Sequence, residues 1–136
     1  MRLIRKAKRE DCKKLAEISM IAHNELKGWT FEDAQRFQKI VKDVKQKIYV
    51  AIKESTIIGY VHTEWYPEKR RLYIEDIFVR KEERRKRIAT LLIKKAIKAY
   101  TKRKHVNIVL LTADRNVTIF EKVGFKKTMN YMELKR

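Results

Sequence analysis

The stretch from Glu75 to Ala89 constrains this chain most, because it joins a strand to a helix through a turn of charges. Leu72 to Val79 alternates as a strand does, with Tyr73, Glu75, Ile77 and Val79 on one face and Ile74, Asp76 and Phe78 on the other. The turn Arg80-Lys81-Glu82-Glu83-Arg84-Arg85-Lys86-Arg87 follows. A helix then runs from Arg84 to about Arg103, with Ile88, Leu91, Leu92, Ala96, Ala99 and Tyr100 as its buried stripe. Peptide N–H groups at a helix N-terminus have no intrahelical partner and form the positive end of the macrodipole. Four successive cations placed there repel one another and oppose the dipole, so the turn calls for an anion, and a pyrophosphate suits it. The plainer reading of the same run is a solvated basic face.

The rest of the chain alternates the two periodicities. Arg2 to Lys6 is a short opening strand, and Asp11 to Asn24 sets Leu15, Ile18, Ser19 and Ala22 on one helical face, broken at Gly28. Thr30, with Asp33 three residues on, has the form of a capping box and opens a second amphipathic helix through Phe31, Ala34, Phe37, Val41 and Val44. Ile48 to Ile52 and Ile57 to Thr63 are strands joined by a polar hairpin turn. Val106 to Leu111 is nearly continuous in apolar residues, as a strand buried on both faces would be. Asn116 to Lys122 is a short helix stopped by Gly124, and Lys126 to Leu134 is a closing strand. No linker, repeat or low-complexity segment interrupts the pattern, which predicts one α/β domain over residues 1–136.

Composition narrows the partners. A hydrophobic fraction of 44% supports a core and is not that of a disordered chain. No apolar run approaches the roughly 20 residues that span a bilayer, and the basic N-terminus lacks the apolar stretch of a secretory signal. A soluble, cytoplasmic protein without a membrane partner is expected. A single cysteine, Cys12, and scattered histidines at 23, 62 and 105 predict no disulfide and no metal. The net charge of +18 demands counterions or a polyanionic partner. Nucleic acid, the ribosome, an acidic protein and a phosphorylated cofactor all satisfy it, and charge alone does not choose. The Lys, Arg, Ile and Glu bias, with three glycines and one proline, points to a heat-adapted source.

Val79, followed by Arg84-Arg85-Lys86-Arg87-Ile88-Ala89 and Leu91-Leu92, resembles the acetyl-CoA signature of GNAT acetyltransferases. That signature runs Gln or Arg, two free positions, Gly, one free position, then Gly or Ala. Arg84 fills its first position and Ala89 its last, while Arg87 stands where the family usually has glycine. Ile4-Arg5-Lys6-Ala7 leading into Glu10-Asp11 resembles the family's first strand and helix, and the hairpin ending at Ile58-Gly59-Tyr60 its second and third strands. Phe120-Glu121-Lys122-Val123-Gly124-Phe125 is similar to its late Tyr-Glu-Lys-x-Gly-Phe motif. The motifs occur in the family's order and cover nearly the whole chain. The resemblance implies an α/β (α+β) GNAT fold: a mixed sheet of about six to seven strands with about four helices, its central strands splayed to hold acetyl-CoA.

What the resemblance implies for mechanism is direct transfer in a ternary complex. The backbone of Ile77, Phe78 and Val79 would bind the pantetheine arm and polarise the thioester. Arg84 and the amides of Arg85, Lys86, Arg87, Ile88, Ala89 and Thr90 would cradle the pyrophosphate, with Asn116 and Phe120 beside the pantetheine; Asn116 reads equally as a helix N-cap. The acceptor amine must lose a proton, and Glu75 is the first candidate base, Asp76 the second from the opposite face. The first two helices and the hairpin after the third strand would set the acceptor. Trp29, Trp65 and Tyr66 are the candidate contacts there, the alternative being that they cover the core edge.

Two departures from the family pattern stand out. Arg87 brings bulk where glycine gives close approach, in a helical φ/ψ that an L-residue accepts. Phe120 lacks the tyrosine hydroxyl thought to protonate the departing thiolate, for which Tyr73, Tyr100 and Tyr131 are the substitutes. The implied function is N-acetyl transfer from acetyl-CoA to a protein or peptide N-terminal or lysine amine, by a monomer or homodimer. The alternatives are a nucleic-acid- or ribosome-binding protein on the same scaffold, resting on roughly a dozen Lys and Arg between Arg80 and Lys104, and a non-catalytic acetyl-CoA binder.

Overall fold

The computed structural model describes residues 2–26, 29–112 and 116–136; Gly28, read above as a helix breaker, lies outside them. Five strands, β1 (Arg2–Lys6), β2 (Gln46–Lys53), β3 (Thr56–Tyr66), β4 (Arg71–Val79) and β5 (Asn107–Leu110), lie in the order β1-β2-β3-β4-β5. The first four pair antiparallel and β4–β5 is parallel. Helices α1 (Cys12–Glu25) and α2 (Ala34–Lys42) cover one face, and α3 (Ile88–Ile97) and α4 (Val117–Val123) the other. Each face has its own core. Leu15, Ile18, Phe37 and Ile40 pack on Ile48, Val50, Tyr60 and Phe78. Leu92, Ile93 and Phe120 pack on Ala51, Val61, Ile74 and Val79. Each fully buried aliphatic side chain among them contributes about 1.5–3 kcal/mol.

Helix starts are set by local chemistry. The second helix begins at Ala34 rather than near Thr30, because Asp33 is extended and its carboxylate accepts the Arg36 N–H at 2.8 Å. The segment before it is held to α1 by the Glu32 N–H, which donates to Ser19 Oγ at 3.0 Å. The third helix starts at Ile88, not Arg84: Arg84 is extended, and Arg85 and Arg87 are left-handed, with φ 66° and 64°. Regular helix would crowd four cations onto its positive end. It finishes at Ile97, and turns occupy 98–105. The closing helix matches expectation, and Gly124 ends it in the left-handed conformation at φ 112°.

The expected strand from Lys126 to Leu134 is absent, leaving five strands among the described residues. Its apolar residues fall on both parities, Met129 and Tyr131 on one and Met132 and Leu134 on the other, so no single face can be buried. All four are exposed.

Two irregularities shape β4. His62 pairs with Asp76 and Thr63 with Ile74, so Glu75 is an extra residue, a β-bulge. The bulge reverses the alternation expected across it: Ile74 joins Ile77 and Val79 on the α3 side, while Phe78 faces α1 and α2. The second irregularity is where pairing stops. The parallel ladder runs from Arg71↔Asn107 to Ile74↔Leu110, and β4 continues alone on that edge to Val79.

Candidate active site

The pairing of β4 with β5 stops at Ile74 and Leu110, and a gap opens beyond it. At its foot lies a cavity of about 290 Å³ lined by Tyr66, Tyr73, Ile74, Glu75 and Leu111. Along its β4 wall, the edge of residues 75–79 turned from β3 has no ladder to β5, which leaves main-chain groups there for an extended ligand. Ile77, Phe78 and Val79 lie on that stretch of β4.

At the head of the gap stands the N-terminus of α3. Its first intrahelical bond runs from the Leu91 N–H to the Arg87 carbonyl at 3.0 Å, so the N–H groups of Ile88, Ala89 and Thr90 precede the ladder. Arg85, Lys86 and Arg87 are exposed around them. Lys86 and Lys53 both approach the Glu83 carboxylate, at 3.2 and 3.4 Å, and the Lys86 hydrogen bond leads in holding that carboxyl below its ordinary range. Amide donors, a helix dipole and cations make a cradle that suits a pyrophosphate. Arg87 occupies φ 64°, ψ 18°, not the helical region expected. The family's glycine therefore serves backbone conformation as well as lack of bulk.

Arg84 points elsewhere. Its guanidinium forks onto the Glu25 carboxylate at the end of α1, at 2.6 and 2.9 Å, and its Nε–H donates to the Val79 carbonyl at 2.9 Å. It also lies 5.3 Å above the Phe78 ring, which Trp29 meets edge-on at 5.8 Å. Trp29 thus packs where α1 and its following loop meet β4. A histidine anchors that loop: His23 Nδ1–H donates to the Trp29 carbonyl at 2.6 Å.

At the foot, Glu75 is exposed, and partial desolvation pushes its carboxyl above the ordinary value. His62 opposes the shift and the Glu64 and Asp76 carboxylates add to it. Asp76 faces His62 across the β3–β4 ladder, with Oδ2 3.8 Å from Nδ1. His62 is buried and its Nε2 lies 2.7 Å from Gln46 Oε1. Sequence reasoning passed over His62 and Gln46; a histidine inside the apolar run of β3 was the signal available.

The remaining expected contacts divide. Tyr66 meets Tyr73 edge-on at 5.1 Å in the cleft wall. Trp65 takes the other face, as strand alternation requires, and stacks on Tyr100 at 5.0 Å beneath Arg103. Phe120 is buried against Phe125, with centroids 5.9 Å apart, in the α3-side core. Asn116 holds the N-cap position of α4 without a side-chain cap bond.

The site is thus a mixed sheet whose parallel pair parts midway, with helix-start amides and cations at the head of the gap and carboxylates at its foot. Residues 13–125 match the family model for the Acetyltransferase (GNAT) family, and the chain belongs to that family. Solved structures agree in fold. A transcriptional regulator from Bacillus halodurans C-125 superposes with TM-score 0.80 at 22% identity, covering 100% of both chains. The ribosomal-protein-alanine N-acetyltransferase from Brucella melitensis biovar Abortus 2308 gives 0.77 at 14% identity, again over 100% of both chains. An aminoglycoside N-acetyltransferase in complex with CoA gives 0.78 at 14%, covering 100% of this chain and 95% of the other. No curated protein matches the sequence. Among the described residues, no helix is long and apolar enough to cross a membrane.

Proposed function

We propose that this protein is an acetyl-CoA-dependent N-acetyltransferase acting on a protein or peptide amine, N-terminal or lysine. The observation that carries the reading is the parting of β4 from β5 beneath the N-terminus of α3. Acetyl-CoA, when bound, supplies the thioester acyl donor. The chain's part is to orient and to move protons. Ile77, Phe78 and Val79 are assigned to the pantetheine arm through their main chain, the Val79 carbonyl already accepting from Arg84, and the amides of Arg85 through Thr90 to the pyrophosphate. Glu75 takes the proton of the acceptor amine, since a carboxyl raised by partial desolvation is a stronger base than one at its ordinary value. Asp76 lies next to it, toward His62. Tyr73, in the cleft wall, is placed to donate a proton in the role for which Phe120 has no hydroxyl. Carboxylates of Glu64, Glu75 and Asp76 gathered beside Tyr66 suit a cationic acceptor.

A second reading, a nucleic-acid or ribosome binder on the same scaffold, is favoured by the exposed Lys94, Lys95, Lys98, Lys102, Arg103 and Lys104 along and beyond α3. Titration calorimetry with acetyl-CoA at two salt concentrations decides between them. Saturable binding near one equivalent, lost in Ala89→Glu, is the expected result. No binding at low salt would overturn the acetyltransferase reading.

A further inference from the structure

Five polar side chains at the foot of the sheet form an ordered chain, and the order follows from donor and acceptor rules. The Asp43 carboxyl, held below its ordinary range first by its hydrogen bond from Gln46, is ionised at neutral pH and only accepts. Gln46 Nε2, 2.9 Å from Asp43 Oδ2, is therefore the amide NH2, and the Lys45 N–H fills the other carboxylate oxygen at 2.8 Å. With its NH2 so placed, Gln46 presents Oε1 to His62 at 2.7 Å. A carbonyl oxygen accepts, so His62 carries its proton on Nε2, which leaves Nδ1 3.8 Å from Asp76 Oδ2. Glu75, the bulged residue beside Asp76, completes the chain.

We propose that His62 is a positioning residue for the Glu75 and Asp76 carboxylates, fixed by Gln46 in the Nε2–H tautomer so that the proton it gains enters at Nδ1 and faces Asp76. The chemistry is one proton taken from water, with no bond between heavy atoms made or broken. Protonated His62 becomes a donor to Asp76 and a positive charge beside Glu75, which weakens Glu75 as a base. Neutral His62 leaves Glu75 among carboxylates, where it holds a proton more tightly. The groups facing the imidazole are all on one side of this balance. Glu64 shares its strand, Asp76 and Glu75 come from β4, and Gln46, backed by Asp43, from β2 and the turn before it. Arg36 of α2, with Lys45, balances Asp43 at the far end of the chain, and the Tyr60 hydroxyl feels the Asp76 carboxylate. The consequence for turnover rests on the acetyltransferase reading; the tautomer and the coupling do not.

The test is made on the free protein, so its failure is separate from failure of that reading. Nitrogen-15 spectra of labelled histidines, with exposed His105 as internal reference, report which His62 nitrogen carries the proton in the neutral ring. Proton on Nε2, with mixed tautomers in Gln46→Leu, is expected; proton on Nδ1 would overturn the proposal. Carbon-13 spectra of side-chain carboxyls follow Glu75. Its titration midpoint is expected to move upward in His62→Gln, which keeps a donor toward Gln46, and downward in Asp76→Asn, where a negative neighbour is lost. A Glu75 midpoint unmoved in His62→Gln would reduce His62 to packing, whatever Asp76→Asn does.

Discussion

Replacing Arg87 by glycine is expected to stabilise the protein even though it removes a side chain. At φ 64°, ψ 18° the Cβ of an L-residue crowds the following carbonyl, at a cost of about 1–2 kcal/mol. Glycine escapes that cost but loses more freedom on folding, by about 0.4–1 kcal/mol. The balance favours glycine by about 0.5–1 kcal/mol, which for a domain of this size raises Tm by about 2–4 °C. Losing one cation from a crowded helix start works in the same direction, by about 0.3–1 kcal/mol at low ionic strength. Arg87→Ala separates the two effects, because alanine loses the same charge and keeps the Cβ. Scanning calorimetry of both variants at low salt and again at about 0.5 M, where surface charge is screened, reads each contribution. The glycine variant should melt above the alanine variant at both. Equal melting temperatures would refute the conformational argument and return Arg87 to a helical backbone.

Two further perturbations bear on the scaffold. In Gly59→Ala the new Cβ would lie 2.9 Å from the Phe78 carbonyl oxygen and 3.2 Å from Val79 Cγ2, so β3 and β4 must spread; a loss of about 1–3 kcal/mol by urea denaturation is expected, and an unchanged midpoint would show that the strands are not so close. Asp11 accepts two bonds from Arg5, at 2.7 and 3.1 Å, and the Lys8 N–H at 2.7 Å, and the Arg5 fork leads in lowering its carboxyl. A folded-state value below the unfolded one gives stability that is present above about pH 4 and lost as pH falls through the folded value. Asp11→Asn should therefore cost about 1.5–3 kcal/mol at pH 7, with the gap from wild type closing in acid; a gap independent of pH would refute the ion-pair account.

Much of the fold was legible because single-face burial leaves a period in the sequence. The stripe Leu15, Ile18, Ser19 and Ala22 located α1, and Ile48 to Ile52 located β2. What escaped was decided by non-local contact or by backbone conformation. No glycine marks the bulge at Glu75, so uninterrupted alternation placed Ile74 on the wrong side of the sheet. Thr30 and Asp33 are both good caps, and only the bond to the Arg36 N–H selects Asp33. The left-handed turn at Arg85 and Arg87 falls on residues with no preference for it. In the site, the strand running into a basic turn and then a helix start was readable from its charges and periodicity. The Gln46–His62–Asp76 chain was not, because it draws one residue from each of three strands.

The Arg84–Glu25 pair joins positions 59 residues apart, and it ties the turn before α3 to the end of α1. Glu25 closes α1, and the segment after α1 carries Trp29 onto β4. An anion that competes for Arg84 does so against its pair with Glu25 at that end of α1. By reciprocity, whatever factor the anion imposes on a ligand held against α1 is the factor that ligand imposes on the anion. Affinity measured for either ligand alone is then a property of one occupancy state. The order of addition becomes a question about a single carboxylate.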